Sequence, residues 1–251
     1  MRLKDKVIIV TGAGQGIGAV YAHKLAEEGG KVIIAEINEA KAKAVADDIT
    51  AKGHEALAIR TDVSDEESTK ALARVVSERY GHIDVLINNA SVFATIKMKP
   101  FDEITVEEWD YLMAVNLRGV FLCCKAVVPF MKAQKKGKVI NISSSTVFIG
   151  RPFYIHYVTS KAGVIGFTRA LAKEVGDWNI NVNCISPGAV QTEIPRDSTT
   201  PEQFQQMIKM RCIHRNEVPE DLVWAIMFFA SEDSDFISGQ TLNVDGGMVF
   251  H

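Results

Sequence analysis

A chain of 251 residues, 47% hydrophobic and 24% charged, has the apolar content for one large α/β domain or two small ones, and a net charge of −3 without a basic tract argues against a nucleic-acid partner. Its four cysteines (Cys123, Cys124, Cys184, Cys212) lack Cys-x-x-Cys spacing, which argues against a zinc site or a disulfide framework and fits a reducing cytoplasm. The run Val7–Val10 is too short for a signal peptide, and Gly119–Met131, interrupted by Lys125 and Pro129, is too short to span a bilayer, so a cytoplasmic protein with no membrane partner is expected.

Short apolar runs alternate with longer amphipathic ones. Strands are expected at 7–10, 31–35, 56–61, 83–87, 138–143, 180–185 and 240–244, and helices near 16–29, 38–52, 66–80, 105–132, 154–176, 201–210 and 219–230. Capping boxes mark three starts: Ser64 with Glu67, Thr105 with Glu108, and Thr200-Pro201 with Gln203. Strands apolar on both faces, separated by helices, predict a single doubly wound α/β domain over 1–251, a Rossmann fold with a seven-stranded parallel sheet covered on two sides. The polar, irregular stretch 191–216 falls at the carboxyl edge of that sheet, where ligands bind, and reads either as a substrate lid or as a surface helical excursion.

After the first strand comes Thr11-Gly12-Ala13-Gly14-Gln15-Gly16-Ile17-Gly18, leading into a helix. Glycines let backbone approach a pyrophosphate while the helix start supplies amide donors. The frame Gly12, Gly16, Gly18 suits this better than one starting at Gly14, and makes the loop, with Gln15 and Ile17, a candidate dinucleotide site. The second strand ends in Ala35-Glu36-Ile37-Asn38; a carboxylate at Glu36 accepts the adenosine ribose hydroxyls and repels a 2′-phosphate, favouring NAD over NADP. Asp62-Val63 and Asn88-Asn89-Ala90-Ser91 close the third and fourth strands, as site residues or as ordinary turns.

Tyr157 and Lys161 are one helical turn apart and share a face. An ammonium beside a phenol favours the phenolate, bringing the tyrosine toward proton exchange at neutral pH, and a hydroxyl from Ser143-Ser144-Ser145 can hold the oxygen of a carbonyl or alcohol. His156 points elsewhere on the helix, toward the surface or a pocket wall. No Gly-x-Ser-x-Gly elbow accompanies the serines, which disfavours a hydrolase.

With the glycine loop, Asn88-Asn89-Ala90, Asn116 with Gly119, Ser144, Tyr157, Lys161, Pro187-Gly188 with Thr192, and Gly239-Gln240 through Asp245-Gly246-Gly247 in this order, the sequence resembles the short-chain dehydrogenase/reductase family along essentially its whole length. The resemblance implies that Tyr157 is the general acid or base and that Ser144, thirteen positions before it, bonds the reacting oxygen. It implies that Lys161 binds the nicotinamide ribose, and that Asn116 breaks its helix and holds a water linking Lys161 to solvent. Asp62 and Val63 would meet the adenine, Asn89 and Ala90 the adenosine side, and Pro187, Gly188, Val190 and Thr192 the nicotinamide. Ser91 stands where the pattern usually has glycine, and the Tyr-Lys interval is shorter than in enoyl reductases of this fold.

The implied activity is NAD-dependent hydride transfer to or from a secondary alcohol or ketone. The residues around His156-Tyr157 and the ending Gly247 to His251 look most like aromatic or cyclic alcohol dehydrogenases of the phenylethanol dehydrogenase kind. Val92, Phe93, Thr146, Val147, Phe148, Phe153, Tyr154, Met207 and Met210 are expected near the pocket. Two other readings stand: a 3-oxoacyl-thioester reductase of the same family, and a catalytically silent dinucleotide sensor or scaffold. The resemblance also suggests a homotetramer.

Overall fold

A computed structural model of the chain describes residues 1–195 and 200–250. The first apolar run forms β1 (Val7–Thr11), buried throughout, with Ile8 and Val10 pointing into one core and Val7 and Ile9 into the other. Around it lie β2 (Lys31–Glu36), β3 (Ala56–Arg60), β4 (Val85–Asn88), β5 (Gly137–Ile142), β6 (Ile180–Pro187) and β7 (Thr241–Val244). Every pairing is parallel, in the order β3-β2-β1-β4-β5-β6-β7. The chain leaves β1 in one direction for β2 and returns on its other side as β4, which opens a crevice at the carboxyl ends of β1 and β4.

One face is covered by α1 (Gly16–Glu27), α2 (Glu39–Ala51) and α9 (Pro219–Ala230), whose Tyr21, Ala42 and Leu222 join the first core. The other is covered by α3 (Glu66–Tyr80), α5 (Gly119–Gln134) and α7 (Ile155–Val175), which bury Leu72, Val127 and Val164. The fold is therefore the expected single Rossmann-type domain.

Three local expectations are corrected. The helix expected over 105–132 is broken: α4 (Val106–Met113) passes through a π-helical turn, Ala114–Arg118, into α5. The whole stretch Val106–Gln134 is long and apolar enough to cross a membrane, but half of its most apolar part is buried inside this fold, which is how a core helix meets the same test. Ser64 does not cap α3; Asp65 does, accepting from Ser68 N, while the Ser64 hydroxyl donates to Asp62. The carboxylate one position closer to the helix is the stronger acceptor. Between β5 and α7 the short α6 (Thr146–Ile149) was not foreseen, because four residues carry too little periodicity to read. The boxes at Thr105 and Thr200 form on both sides, the latter opening α8 (Pro201–Met210) within the expected lid; of that lid, 196–199 lie outside the described residues, as does the last residue of the chain ending, 251.

Candidate active site

At the end of β1, Gly12 has φ +63°, and a β-carbon there would lie 2.8 Å from Ala90 Cα. Gly18, in the first turn of α1, has no room for one either, since it would fall 2.3 Å from the Gly12 carbonyl oxygen. These two positions let the loops after β1 and β4 touch. Thr11 Oγ1 accepts the backbone N–H groups of Asn89 and Ala90, each at 3.0 Å, and Asn89 Nδ2 donates to the carbonyls of Thr11 (3.0 Å) and Gly12 (3.1 Å). Asn89 lines the cavity as expected, but its amide is engaged in clamping the two loops.

This cradle fits a pyrophosphate: backbone bared by glycine, at a helix start that favours negative charge. One of its donors is already engaged. The Gly16 N–H donates to Glu193 Oε1 at 2.7 Å, and Ile194 Cδ1 sits 2.8 Å from where a Gly16 β-carbon would be. Gly16, expected to face the cofactor, is therefore buried beneath the segment following β6, whereas Gln15, Ile17 and Gly18 face the cavity. Local sequence pattern gives no hint of a contact between positions 16 and 193.

Glu36 ends β2 at the cavity wall; its Oε2 accepts from Gly14 N at 3.2 Å and its Oε1 from Asn38 N at 3.1 Å. Beside it, Lys41 Nζ donates to Gln15 Oε1. Lys41 is a cation at this end of the cavity that sequence reasoning missed; its place one turn into α2, behind an Asn38 cap, was the available signal. Asp62 and Val63 also reach the cavity, the Asp62 Oδ1 held by Ser64 N at 2.9 Å.

Across the cavity, the start of α7 is pinned to the end of β5. Lys161 Nζ donates to the Ile142 carbonyl at 2.9 Å, Ser143 Oγ donates to the Lys161 carbonyl at 2.8 Å, and Ser160 Oγ donates to the Tyr157 carbonyl at 2.7 Å. Lys161 Nζ lies 5.8 Å from the centre of the Tyr157 ring, which Phe93 abuts at 5.0 Å. Burial pushes the lysine down to about 8, because an ammonium loses hydration there, while Cys184 weakly opposes the shift. The three serines now separate by role. Ser143 gives its proton to the Lys161 carbonyl and Ser145 binds the Pro187 carbonyl through its backbone N–H at 2.9 Å, whereas Ser144 Oγ accepts from Thr146 N (3.3 Å) and Thr146 Oγ1 (2.9 Å), leaving its own proton to give.

Asn116 sits in the π-helical turn, so the expected break in its helix is real. Its side chain, fully buried and away from the cavity wall, accepts from Val92 N at 2.7 Å and donates to Val92 O at 3.1 Å, fixing the loop that carries Phe93. All the other expected site residues except Gly16 line one cavity of about 720 Å³.

On the substrate side Val92, Phe93, Thr146, Phe153, Met207 and Met210 line that cavity as expected. Val147 and Phe148 instead pack against the core beneath α7, and Tyr154 is buried behind Tyr157 at a ring separation of 6.2 Å. His156 is neither on the surface nor on the wall. It is 4% exposed, and burial pushes its imidazole pKa down, with Glu108 and Lys99 nearby. Ser91 lines the cavity, and Arg151 enters the same wall with its guanidinium 4.8 Å from the Tyr154 ring centre.

Pro187 ends β6, and Gly188, Val190 and Thr192 follow it along the cavity's far edge. Behind them a buried pair, Arg211 and Glu217, escaped sequence reasoning, because an Arg and a Glu six positions apart in an irregular stretch look like solvated surface charges.

A strand-loop-helix cradle for a dinucleotide, facing a Tyr-Lys pair with a donating serine across one cavity, defines an oxidoreductase of the Rossmann class. Residues 6–203 match the family model described as short chain dehydrogenase. The chain is 36% identical to a 3-oxoacyl-[acyl-carrier-protein] reductase of Thermotoga maritima, over 99% of this chain and all (100%) of that one. It is 35% identical to a (2S)-[(R)-hydroxy(phenyl)methyl]succinyl-CoA dehydrogenase subunit of Thauera aromatica, over 98% of each. The crystal structure of a levodione reductase superposes with a TM-score of 0.91 at 30% identity, over 98% of each chain. The chain belongs to the short-chain dehydrogenase family.

Proposed function

We propose that this protein catalyses reversible hydride transfer between a nicotinamide dinucleotide and a secondary alcohol or its ketone. The observation that carries the reading is the convergence of Ser144, Tyr157 and Lys161 on one wall of the cavity whose other wall is the glycine cradle. When bound, the dinucleotide supplies or accepts the hydride. Ser144 donates a hydrogen bond to the reacting oxygen and keeps its proton, and Tyr157 gives a proton to that oxygen in reduction or removes it in oxidation. Lys161, in a low-dielectric setting, stabilises the phenolate more than an exposed lysine would, and the phenolate in turn favours the ammonium. Asn116 is assigned the water that links Lys161 to solvent.

Among substrates, the names of the relatives favour the 3-oxoacyl thioester that sequence reading placed second: one acts on an acyl-carrier-protein thioester and another on a coenzyme A thioester. The aromatic wall at Phe93 and Phe153, with the levodione reductase likeness, supports a free cyclic or aryl ketone as the second reading. For the cofactor, Glu36 supports NAD by opposing a 2′-phosphate, and Lys41 pulls the other way while tied to Gln15. Exposed apolar side chains such as Tyr111 and Phe121 on α4 and α5, and Trp224 on α9, fit burial in a homotetramer, to be read by sedimentation.

The test is a panel of 3-oxoacyl thioesters, aryl ketones and cyclic ketones with NADH and with NADPH. Turnover of the thioesters well above the free ketones is the expected result. Dinucleotide binding with no oxidation across the whole panel would leave the silent-sensor reading in its place.

A further inference from the structure

Behind the loop that follows β6, a carboxylate is held out of water. Glu217 Oε1 accepts from Gly188 N at 3.2 Å, and its Oε2 accepts from Arg211 Nη2 at 3.1 Å. The same Nη2 donates to the Ala189 carbonyl at 3.0 Å, and Nη1 to the Arg215 carbonyl at 2.9 Å. The backbone adds two contacts: Val190 forms a parallel bridge with Glu217, and Gln191 N donates to Glu217 O at 2.7 Å. Arg211 is 2% exposed and Glu217 5%, so removing either partner strands a buried charge. Glycine at 188 is required for this packing, since a β-carbon would lie 2.4 Å from Glu217 Oε2.

We propose that Glu217, held by Arg211, is a positioning residue for the hydride transfer: it sets the path of Gly188 to Gln191 and so the seat of the nicotinamide ring. It touches neither substrate nor cofactor and acts through the Gly188 amide and, by way of Arg211, the Ala189 carbonyl. The inference rests on the reading that this loop receives the nicotinamide.

The groups facing Glu217 are Arg211 and Arg215, the acids Asp245 and Asp221, and the buried Tyr21 hydroxyl of α1, which has no hydrogen-bond partner among the described residues. Burial pushes the carboxyl up to about 7, with Arg211 and the Gly188 amide pulling it back. As pH falls through that value the carboxylate takes a proton, the attraction to Arg211 collapses, and both holds on the loop weaken. Binding of the nicotinamide end weakens with them, while the adenosine end, seated at Glu36 and the glycine cradle, is unaffected.

The experiment measures binding of NADH and of ADP-ribose, which lacks the nicotinamide, to the full chain between about pH 8.5 and about pH 6. The NADH Kd is expected to rise roughly three- to tenfold on acidification, the scale of one charge-assisted hydrogen bond becoming neutral, with ADP-ribose flat. In Glu217→Gln, which keeps the acceptor but not the charge, the NADH curve flattens. Identical pH curves for the two ligands in the wild-type protein overturn the proposal without any variant, as does a Gln variant that follows the wild type. If the wild-type protein binds neither ligand at any pH, the dinucleotide reading itself fails.

Discussion

From β1 to β4 the cavity wall is largely backbone, shaped by Gly12 and Gly18 and locked by Thr11 and Asn89 with four hydrogen bonds across two loops. Past β5 the wall is side chain: Phe153 after α6, and Met207 and Met210 on α8, around a tyrosine whose helix is pinned to the sheet. The first half admits few alternatives, because each of its two glycines answers to an atom less than 3 Å away. The second can be re-lined without disturbing the sheet, since methionine in particular adapts to irregular space. That contrast explains how one scaffold keeps a common cofactor while its substrate changes.

The largest effect is expected where the halves meet. Tyr157→Phe removes the proton carrier and leaves the ring packed on Phe93, so turnover should drop about a hundred- to ten-thousandfold while NADH binding is nearly unchanged. A variant that keeps more than a few per cent of activity takes the role away from Tyr157.

Next comes the backbone half. Gly18→Ala drives a methyl group to 2.3 Å from the Gly12 carbonyl and against Asn89 Nδ2, so the two loops must part. The expected outcome is a loss of about 1–3 kcal/mol in chemical unfolding, together with dinucleotide affinity reduced at least about tenfold. An alanine variant that binds NADH normally means the loops give more easily than their contacts suggest.

These contacts also account for what could be read without a structure. Alternating apolar runs disclosed the sheet because its inner strands, from β2 through β6 in the sheet order, are buried on both faces, and the glycine loop disclosed the cradle because only glycine satisfies Gly12 and Gly18. Tyr157 and Lys161 were legible because one helix carries both. The burial of His156, the Arg211–Glu217 pair and Glu193 over Gly16 were not. Each depends on which distant segment packs against it, and one sequence holds no record of that.

A smaller effect separates the function of Lys161 from its cost to the fold. Its ammonium is held down to about 8 against an ordinary 10.5, so between those values the unfolded chain carries more protons than the folded one. Stability of the wild-type protein therefore gains with rising pH across that window. Lys161→Met lacks this gain: its unfolding midpoint relative to wild type should be highest below pH 8 and decline toward 10.5, with activity lost throughout. A pH-independent difference between the two proteins would show that the lysine is hydrated.

The smallest expected effect tests whether the two halves are independent at all. Glu193 leaves the segment after β6 and places its carboxylate on the Gly16 amide, at a helix start suited to an anion and beside the cavity face of Gly18. A pyrophosphate arriving there meets a like charge at a site whose donor is already taken, so part of its binding energy goes into displacing Glu193. Glu193→Gln keeps the size and an acceptor but removes the charge, and it should tighten NADH and ADP-ribose alike by roughly two- to tenfold, the scale of one charge-assisted hydrogen bond near the surface. Equal tightening of both ligands places the competition at the phosphates. Tightening of NADH alone would put Glu193 at the nicotinamide end, and unchanged affinities would mean that the strap over Gly16 yields at no cost.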